Sequence, residues 1–381
     1  MLISRRSAVE PFHAMDILAE ANRLADLGKP IISMALGQPS DPAPKSALEA
    51  AKRALENGRI GYTNALGMES LRHRIAQFYA DHYSIEVEPE RVAVTTGSSS
   101  GFNLAFLALF DVGDRVAITR PGYPAYRNIM TALGIEVIEI PVGPGEGDLT
   151  GERLADIHRK TPLRGLLFAS PANPTGSIMP VEDMQRVVLT AQSLGISVIS
   201  DEIYHRLSHV GSDTTALSVS DDVTIINSFS KYYCMTGWRI GWMILPKHLV
   251  RPVERIAQSL YISAPELSQI AAIEAFSGTS ELEAVKSRYA QSRLILAQRL
   301  PRFGFDLAAS MDGAFYAWCD VSKHTNDSMT FAKRMLAETF VAATPGHDFD
   351  PVNGHRHMRL SYAGRPKEMV EALDRIEKWL L

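Results

Sequence analysis

The chain has 381 residues, of which 46% are hydrophobic and 22% charged, an ordinary globular composition and enough length for two domains with full cores. A formal charge of -4, with the basic residues dispersed, excludes the electrostatic footprint of a nucleic-acid or anionic-membrane binder. Two cysteines, Cys234 and Cys319, are too few for a disulfide framework or a zinc site, and no apolar run approaches the roughly 20 residues that cross a bilayer, so a soluble cytoplasmic protein is expected.

The start, Met1-Leu2-Ile3-Ser4-Arg5-Arg6, is followed by neither an apolar core nor a small-residue cleavage site and reads as an ordinary mature terminus. From Ala47 to about Ile262, helical patterns alternate with short apolar runs at 91–96, 114–119, 136–142, 165–170, 196–202, 224–230 and 240–246. Each run is apolar on consecutive residues, as strands buried on both faces are, so the pattern predicts a mostly parallel seven-stranded sheet between helices, an α/β domain. After residues 263–265 the order changes. Long helical patterns over 266–276 and 281–300, strand candidates at 314–320 and 357–363, and an amphipathic helix after Pro366 predict a smaller α+β domain.

Most of the residues that suggest chemistry fall at the ends of predicted strands, where ligands bind in open α/β sheets. Val92-Ala93-Val94-Thr95-Thr96-Gly97-Ser98-Ser99-Ser100-Gly101 runs from a strand through a small-residue turn into a helix, exposing backbone N–H groups to an anion. Arg120-Pro121-Gly122-Tyr123-Pro124-Ala125-Tyr126 and Ser170-Pro171-Ala172-Asn173-Pro174-Thr175-Gly176 are turns after the next strands. Between them, Gly143-Pro144-Gly145-Glu146-Gly147 opens no helix, which excludes a dinucleotide fingerprint. Asp201 ends a further apolar run, where an unpaired carboxylate is costly to bury, so a cationic partner is expected.

The segment Ser228-Phe229-Ser230-Lys231-Tyr232-Tyr233-Cys234-Met235-Thr236-Gly237-Trp238-Arg239 sets a candidate Schiff-base lysine eight residues before an arginine. An amine nucleophile beside a phosphate-matching guanidinium points to pyridoxal phosphate chemistry. Lysine ordinarily titrates near roughly 10.4, so such a role needs a site that depresses Lys231. Arg359, in Met358-Arg359-Leu360-Ser361-Tyr362-Ala363, sits among apolar neighbours and needs a planar anionic partner.

With these motifs the chain resembles the class I and II aminotransferases, fold type I enzymes that use pyridoxal 5′-phosphate, from about Gly37 to the C-terminal helix. The resemblance implies that Lys231 holds the cofactor and moves the substrate α-proton. It implies that Asp201 pairs with the pyridine nitrogen, keeping the ring an electron sink. Tyr204 and Asn173 would share the cofactor's 3′ oxygen, and Tyr123 would stack on the ring. The phosphate falls to Ser98, Ser99, Ser228, Ser230 and Arg239, with Tyr62 reaching it from a partner subunit. Gly37, Asn173 and Arg359 would meet the substrate.

The resemblance also implies a homodimer with shared active sites, and an N-terminal segment, 1–44, that completes the small domain, 266–381, beside a large domain, 45–265. L-amino acid and 2-oxo acid substrates would react in turn, by a ping-pong route through pyridoxamine phosphate. Aspartate-specific relatives carry a second cation, in one subgroup as a lysine at the position of Ser99, so strict dicarboxylate specificity is not expected. His347 follows Thr344-Pro345-Gly346 in a loop the family uses near the substrate and reads as a surface histidine. A pyridoxal-phosphate-dependent C–S β-lyase, or a related lyase or synthase on the same fold, is the alternative, because the cofactor motifs are shared. Ser228-Phe229-Ser230-Lys231 formally matches the Ser-x-x-Lys of penicillin-recognising hydrolases, but the companion Ser-Asp-Asn and Lys-Thr-Gly are absent. No helix-turn-helix pattern precedes the fold, which argues against a DNA-binding regulator.

Overall fold

The computed structural model describes residues 3–381, so the reading of Met1 and Leu2 lies outside the described residues. The strands, in chain order, are β1 (Ile32–Met34), β2 (Val92–Thr95), β3 (Arg115–Arg120), β4 (Glu136–Pro141), β5 (Gly165–Ala169), β6 (Ser197–Asp201), β7 (Val223–Ser228), β8 (Gly241–Ile244), β9 (Asp306–Leu307), β10 (Tyr316–Asp320), β11 (Val341–Pro345) and β12 (His357–Ser361). The helices are α1 (His13–Asp26), α2 (Lys45–Glu56), α3 (Glu69–Tyr83), α4 (Ser98–Leu109), α5 (Pro124–Leu133), α6 (Gly151–Lys160), α7 (Val181–Ser193), α8 (Lys247–Tyr261), α9 (Glu266–Ala275), α10 (Thr279–Arg299), α11 (Ser328–Thr339) and α12 (Pro366–Leu380).

Seven strands form one sheet in the order β2-β8-β7-β6-β5-β3-β4, the α/β architecture that the apolar runs predict. It is parallel except at β8, which runs antiparallel to both β2 and β7. Successive strand residues point to opposite faces, and both faces are apolar. Val94, Leu166, Val198, Ile225 and Trp242 pack with Ile75 of α3, Leu154 of α6 and Val187 of α7. Ala93, Leu167, Ile199, Ile226 and Met243 pack on the other side with Phe106 of α4, Met130 of α5 and Val253 of α8.

The second sheet has the order β1-β11-β12-β10-β9. Its first strand comes from the N-terminal segment and pairs in parallel with β11, Ile32 opposite Val341. Sequence periodicity misses β1, β9 and β11, because three-residue and two-residue strands are too short to show a period and β11 ends in a proline. β10 and β12 pair antiparallel with Trp318 opposite Arg359. This sheet sets Arg359 against the carboxyl ends of the parallel strands, and the space between them is the candidate site.

Candidate active site

A cavity of about 280 Å³ lies at this seam, and it brings together Gly37, Ser98, Ser99, Tyr123, Asn173, Asp201, Tyr204, Ser230, Lys231, Arg239 and Arg359. The residues arrive from separate strand ends because the parallel strands all deliver their following turns to one edge of the sheet. Of the residues singled out from the sequence, Ser228 and Tyr62 stand outside it.

Lys231 sits in the turn after β7 and donates a 2.6 Å hydrogen bond from Nζ to the Gly37 carbonyl. Burial pulls its pKa down to about 8, helped by the positive charges of Arg359 and Arg239, while Asp201 acts the other way. Asp201 closes β6 and is 3% exposed. The cation expected from the sequence is not supplied by any described residue: Oδ2 accepts from the Tyr126 hydroxyl and Oδ1 from the Ile203 N–H at 3.1 Å. Burial pushes the carboxyl up to about 6, with those two hydrogen bonds opposing.

Arg359 projects from β12 into the opposite wall. Nη1 donates to Asn173 Oδ1 at 2.9 Å and Nη2 to the Ala35 carbonyl at 2.6 Å. The Tyr316 and Phe349 rings lie 4.3 and 4.6 Å from its Cζ. Buried Nε has no hydrogen-bond partner, and among the described residues the side chain has no acidic partner. A buried guanidinium held this way on one side presents an open anion site on the other.

A third corner suits an anion as well. Gly97, at φ 80°, turns the chain from β2 into α4, leaving the first N–H groups of that helix free beside Ser98 and Ser99. A Cβ at Gly97 would stand 2.6 Å from Arg239 Nη2, so only glycine allows the guanidinium this close to the helix start. Ser230 faces the same space. Ser228 stands behind it, 2% exposed, with Oγ donating to the Ile240 carbonyl at 3.0 Å and lying 2.8 Å from Ser230 Oγ. Ser228 thus stands one layer behind Ser230 at the corner where its phosphate contact is expected.

Several lining residues carried no signal in the sequence. Tyr126, packed edge-on to Tyr123 with centroids 5.4 Å apart, holds Asp201, and Tyr316 holds Tyr204, hydroxyl to hydroxyl at 2.7 Å. Phe12, Met15, Asp348 and Phe349 complete the wall around Arg359, whereas the half-buried His347 does not reach it. Tyr126 lies three residues after Tyr123 in the same turn, the one sequence signal that places it near the site. The cavity therefore offers an amine with a depressed pKa, a buried carboxylate without a cation, and two separate anion sites.

The sequence pattern described as Aminotransferase class I and II matches this chain over residues 29–376. The valine–pyruvate aminotransferase of Mycobacterium tuberculosis is 46% identical over 99% of this chain and 98% of its own length. A (5-formylfuran-3-yl)methyl phosphate transaminase of Methanocaldococcus jannaschii is 33% identical over 100% of both chains. Among solved structures, an aminotransferase from Mycobacterium tuberculosis superposes with a TM-score of 0.96 at 44% identity, covering 100% of this chain and 99% of that one. The aspartate aminotransferase from Thermus thermophilus with maleate gives 0.92 at 29% identity, covering 99% of each.

Proposed function

Because the chain belongs to the aminotransferase class I and II family, we propose that it moves an amino group from an L-amino acid to a 2-oxo acid with pyridoxal 5′-phosphate seated around Lys231. The residues present fit that cofactor. Asp201 is a buried carboxylate with no ion-pair partner among the described residues, which suits a protonated pyridine nitrogen. Arg239, set against Gly97 and the start of α4, suits a phosphate.

When bound, the cofactor supplies an aldehyde carbon that takes up the amino group and a conjugated ring that spreads the electrons left at the substrate α-carbon. The chain's own residues do the rest. Lys231 is partly neutral near its pKa of about 8, so Nζ can hold the cofactor, take the proton from the substrate α-carbon and return it. Asp201 would hold the ring nitrogen protonated, with Tyr126 fixing Oδ2. Tyr204 and Asn173 would serve the ring oxygen, Tyr123 would cover a ring face, and Ser98, Ser99, Ser230 and Arg239 would hold the phosphate. Arg359 takes the substrate α-carboxylate, and Gly37 leaves that approach open.

The observation that carries this reading is Arg359, 5% exposed and with no acidic partner among the described residues, in the same cavity as Lys231. The relatives are named for amino transfer, which favours it over β-elimination. The name of the mycobacterial relative supports valine as a donor and pyruvate as an acceptor. The test is to incubate the cofactor-loaded protein with each of a panel of amino acids and pyruvate, and to follow alanine. Ammonia and pyruvate from a cysteine conjugate, with no amino transfer to any acceptor, would overturn it in favour of a lyase.

We further propose a large domain of residues 45–265, a small domain of 1–44 with 266–381, and a homodimer. Tyr62 is 81% exposed and outside its own cavity, which supports its reaching the phosphate site of a second subunit. No helix among the described residues is long and apolar enough to cross a membrane, and a cytoplasmic location is proposed with the rest.

A further inference from the structure

Helix α1 begins at the cavity, and its N-cap residue, Phe12, makes no side-chain cap hydrogen bond. The cap comes instead from the far end of the chain. Asp348 accepts the His13 N–H at 3.0 Å through Oδ1 and the Ala14 N–H at 2.8 Å through Oδ2, closing the positive end of a helix 335 residues earlier in sequence. Its own segment is anchored in turn. Arg127 Nη2 donates to the Asp348 carbonyl at 3.1 Å and the Gly122 N–H to the Phe349 carbonyl at 3.0 Å. Phe349 is the ring stacked on Arg359.

One short segment therefore sets two walls of the substrate space: the aromatic cover of Arg359, and the first turn of α1 with Phe12 and Met15. Met15 is 53% exposed, so apolar area remains there for a bound side chain to cover. Asp348 is 4% exposed, lines the cavity, and has no ion-pair partner among the described residues. Among the described residues, the basic side chains lining the cavity are Lys231, Arg239 and Arg359, so this subunit's described residues offer no further cation for a second carboxylate.

We infer that Asp348 is a specificity-determining residue, which holds the apolar first turn of α1 against the substrate side chain and sets a carboxylate, capped by backbone N–H groups but with no ion-pair partner among the described residues, in the wall that a substrate's second carboxylate would face. The inference rests on the reading of Arg359 as the α-carboxylate site. A branched aliphatic side chain gains contact with Phe12 and Met15, whereas an acidic one meets a like charge in a buried setting. Asp348 acts through position and field and takes no part in proton transfer.

The test is calorimetric titration of the cofactor-loaded protein with two unreactive carboxylates, 3-methylbutanoate and succinate. The unaltered protein should bind 3-methylbutanoate more tightly. Asp348→Asn keeps one acceptor for α1 and removes the charge, and it should shift the ratio of dissociation constants toward succinate by about tenfold. Met15→Ala, at an exposed position where folding is not at stake, should weaken 3-methylbutanoate severalfold and leave succinate unchanged. An unchanged ratio in both variants, with binding intact, overturns the inference while leaving Arg359 in its place. Failure of both ligands to bind the unaltered protein removes the Arg359 reading and this inference together.

Discussion

Tyr204 and Tyr316 meet hydroxyl to hydroxyl at 2.7 Å, joining the turn after β6 to strand β10 of the other sheet. Tyr316 also lies 4.3 Å from Arg359 Cζ by its ring centroid, so one side chain braces both the proposed cofactor side and the proposed substrate side. Gly37 fits beneath it: a Cβ there would fall 1.7 Å from Tyr316 Oη and 2.7 Å from Cζ.

Gly37→Ala should therefore displace Tyr316 and lower kcat/KM by about 10²-fold, the usual cost of a misplacement near 1 Å. Adding Tyr316→Phe removes the nearer clashing atom and should restore part of the loss. Steady-state kinetics of the two single variants and the double variant check this; strict additivity would mean that the two residues do not act on each other.

Lys231→Ala should reduce amino transfer by about 10³-fold or more, since both the amine and the proton carrier are lost. The unaltered lysine has its own pH signature. Its pKa of about 8 means that the ammonium gives up its proton as pH rises through that value. Cofactor uptake by the cofactor-free protein, followed by stopped-flow absorbance, should thus speed up to about pH 8 and then level.

Asp201→Asn separates stability from catalysis. The folded carboxyl titrates at about 6, above its ordinary value of 3.8, so the folded state binds the extra proton between these values. The cofactor-free protein accordingly loses stability as pH rises from about 4 to 6, and the penalty, up to about 3 kcal/mol, is complete above that. Asparagine removes the penalty, with Oδ1 keeping the Ile203 N–H and Nδ2 donating to the Tyr126 hydroxyl. The cofactor-free variant should melt a few degrees higher than its parent at pH 7.5, with no gain at pH 4, while amino transfer by the loaded variant falls by orders of magnitude.

Arg359→Lys should raise KM for the amino acid by about 10²-fold, because an ammonium cannot keep the bonds to Asn173 and Ala35 and also clasp a carboxylate in the plane between two rings. Cofactor affinity, read from absorbance titration, should change little. A parallel loss of both would assign Arg359 to the general integrity of the seam.

Mixing Lys231→Ala subunits with Tyr62→Ala subunits tests the shared site. If the partner subunit's Tyr62 completes each cavity, a hybrid dimer contains one site with neither change, and activity should exceed that of either parent. Activity no greater than the average of the parents would confine Tyr62 to its own subunit.

The sheet was legible because its central strands are runs of apolar residues buried on both faces, and their ends and following turns carry residues too costly to bury without a partner, such as Asp201 and Lys231. Those features are local, and chain order alone sets them at one edge of a parallel sheet. What the sequence determined by itself was the α/β fold, the strand ends that bear the chemistry, and the chemistry they suit. The tertiary structure alone decided that Tyr126, and no cation among the described residues, holds Asp201, that Ser228 bonds Ser230 from behind, and that Asp348 caps a helix 335 residues away. Tyr126, Tyr316 and Asp348 had no periodicity or spacing to mark them, because their partners lie on other elements and their roles exist only after those elements pack.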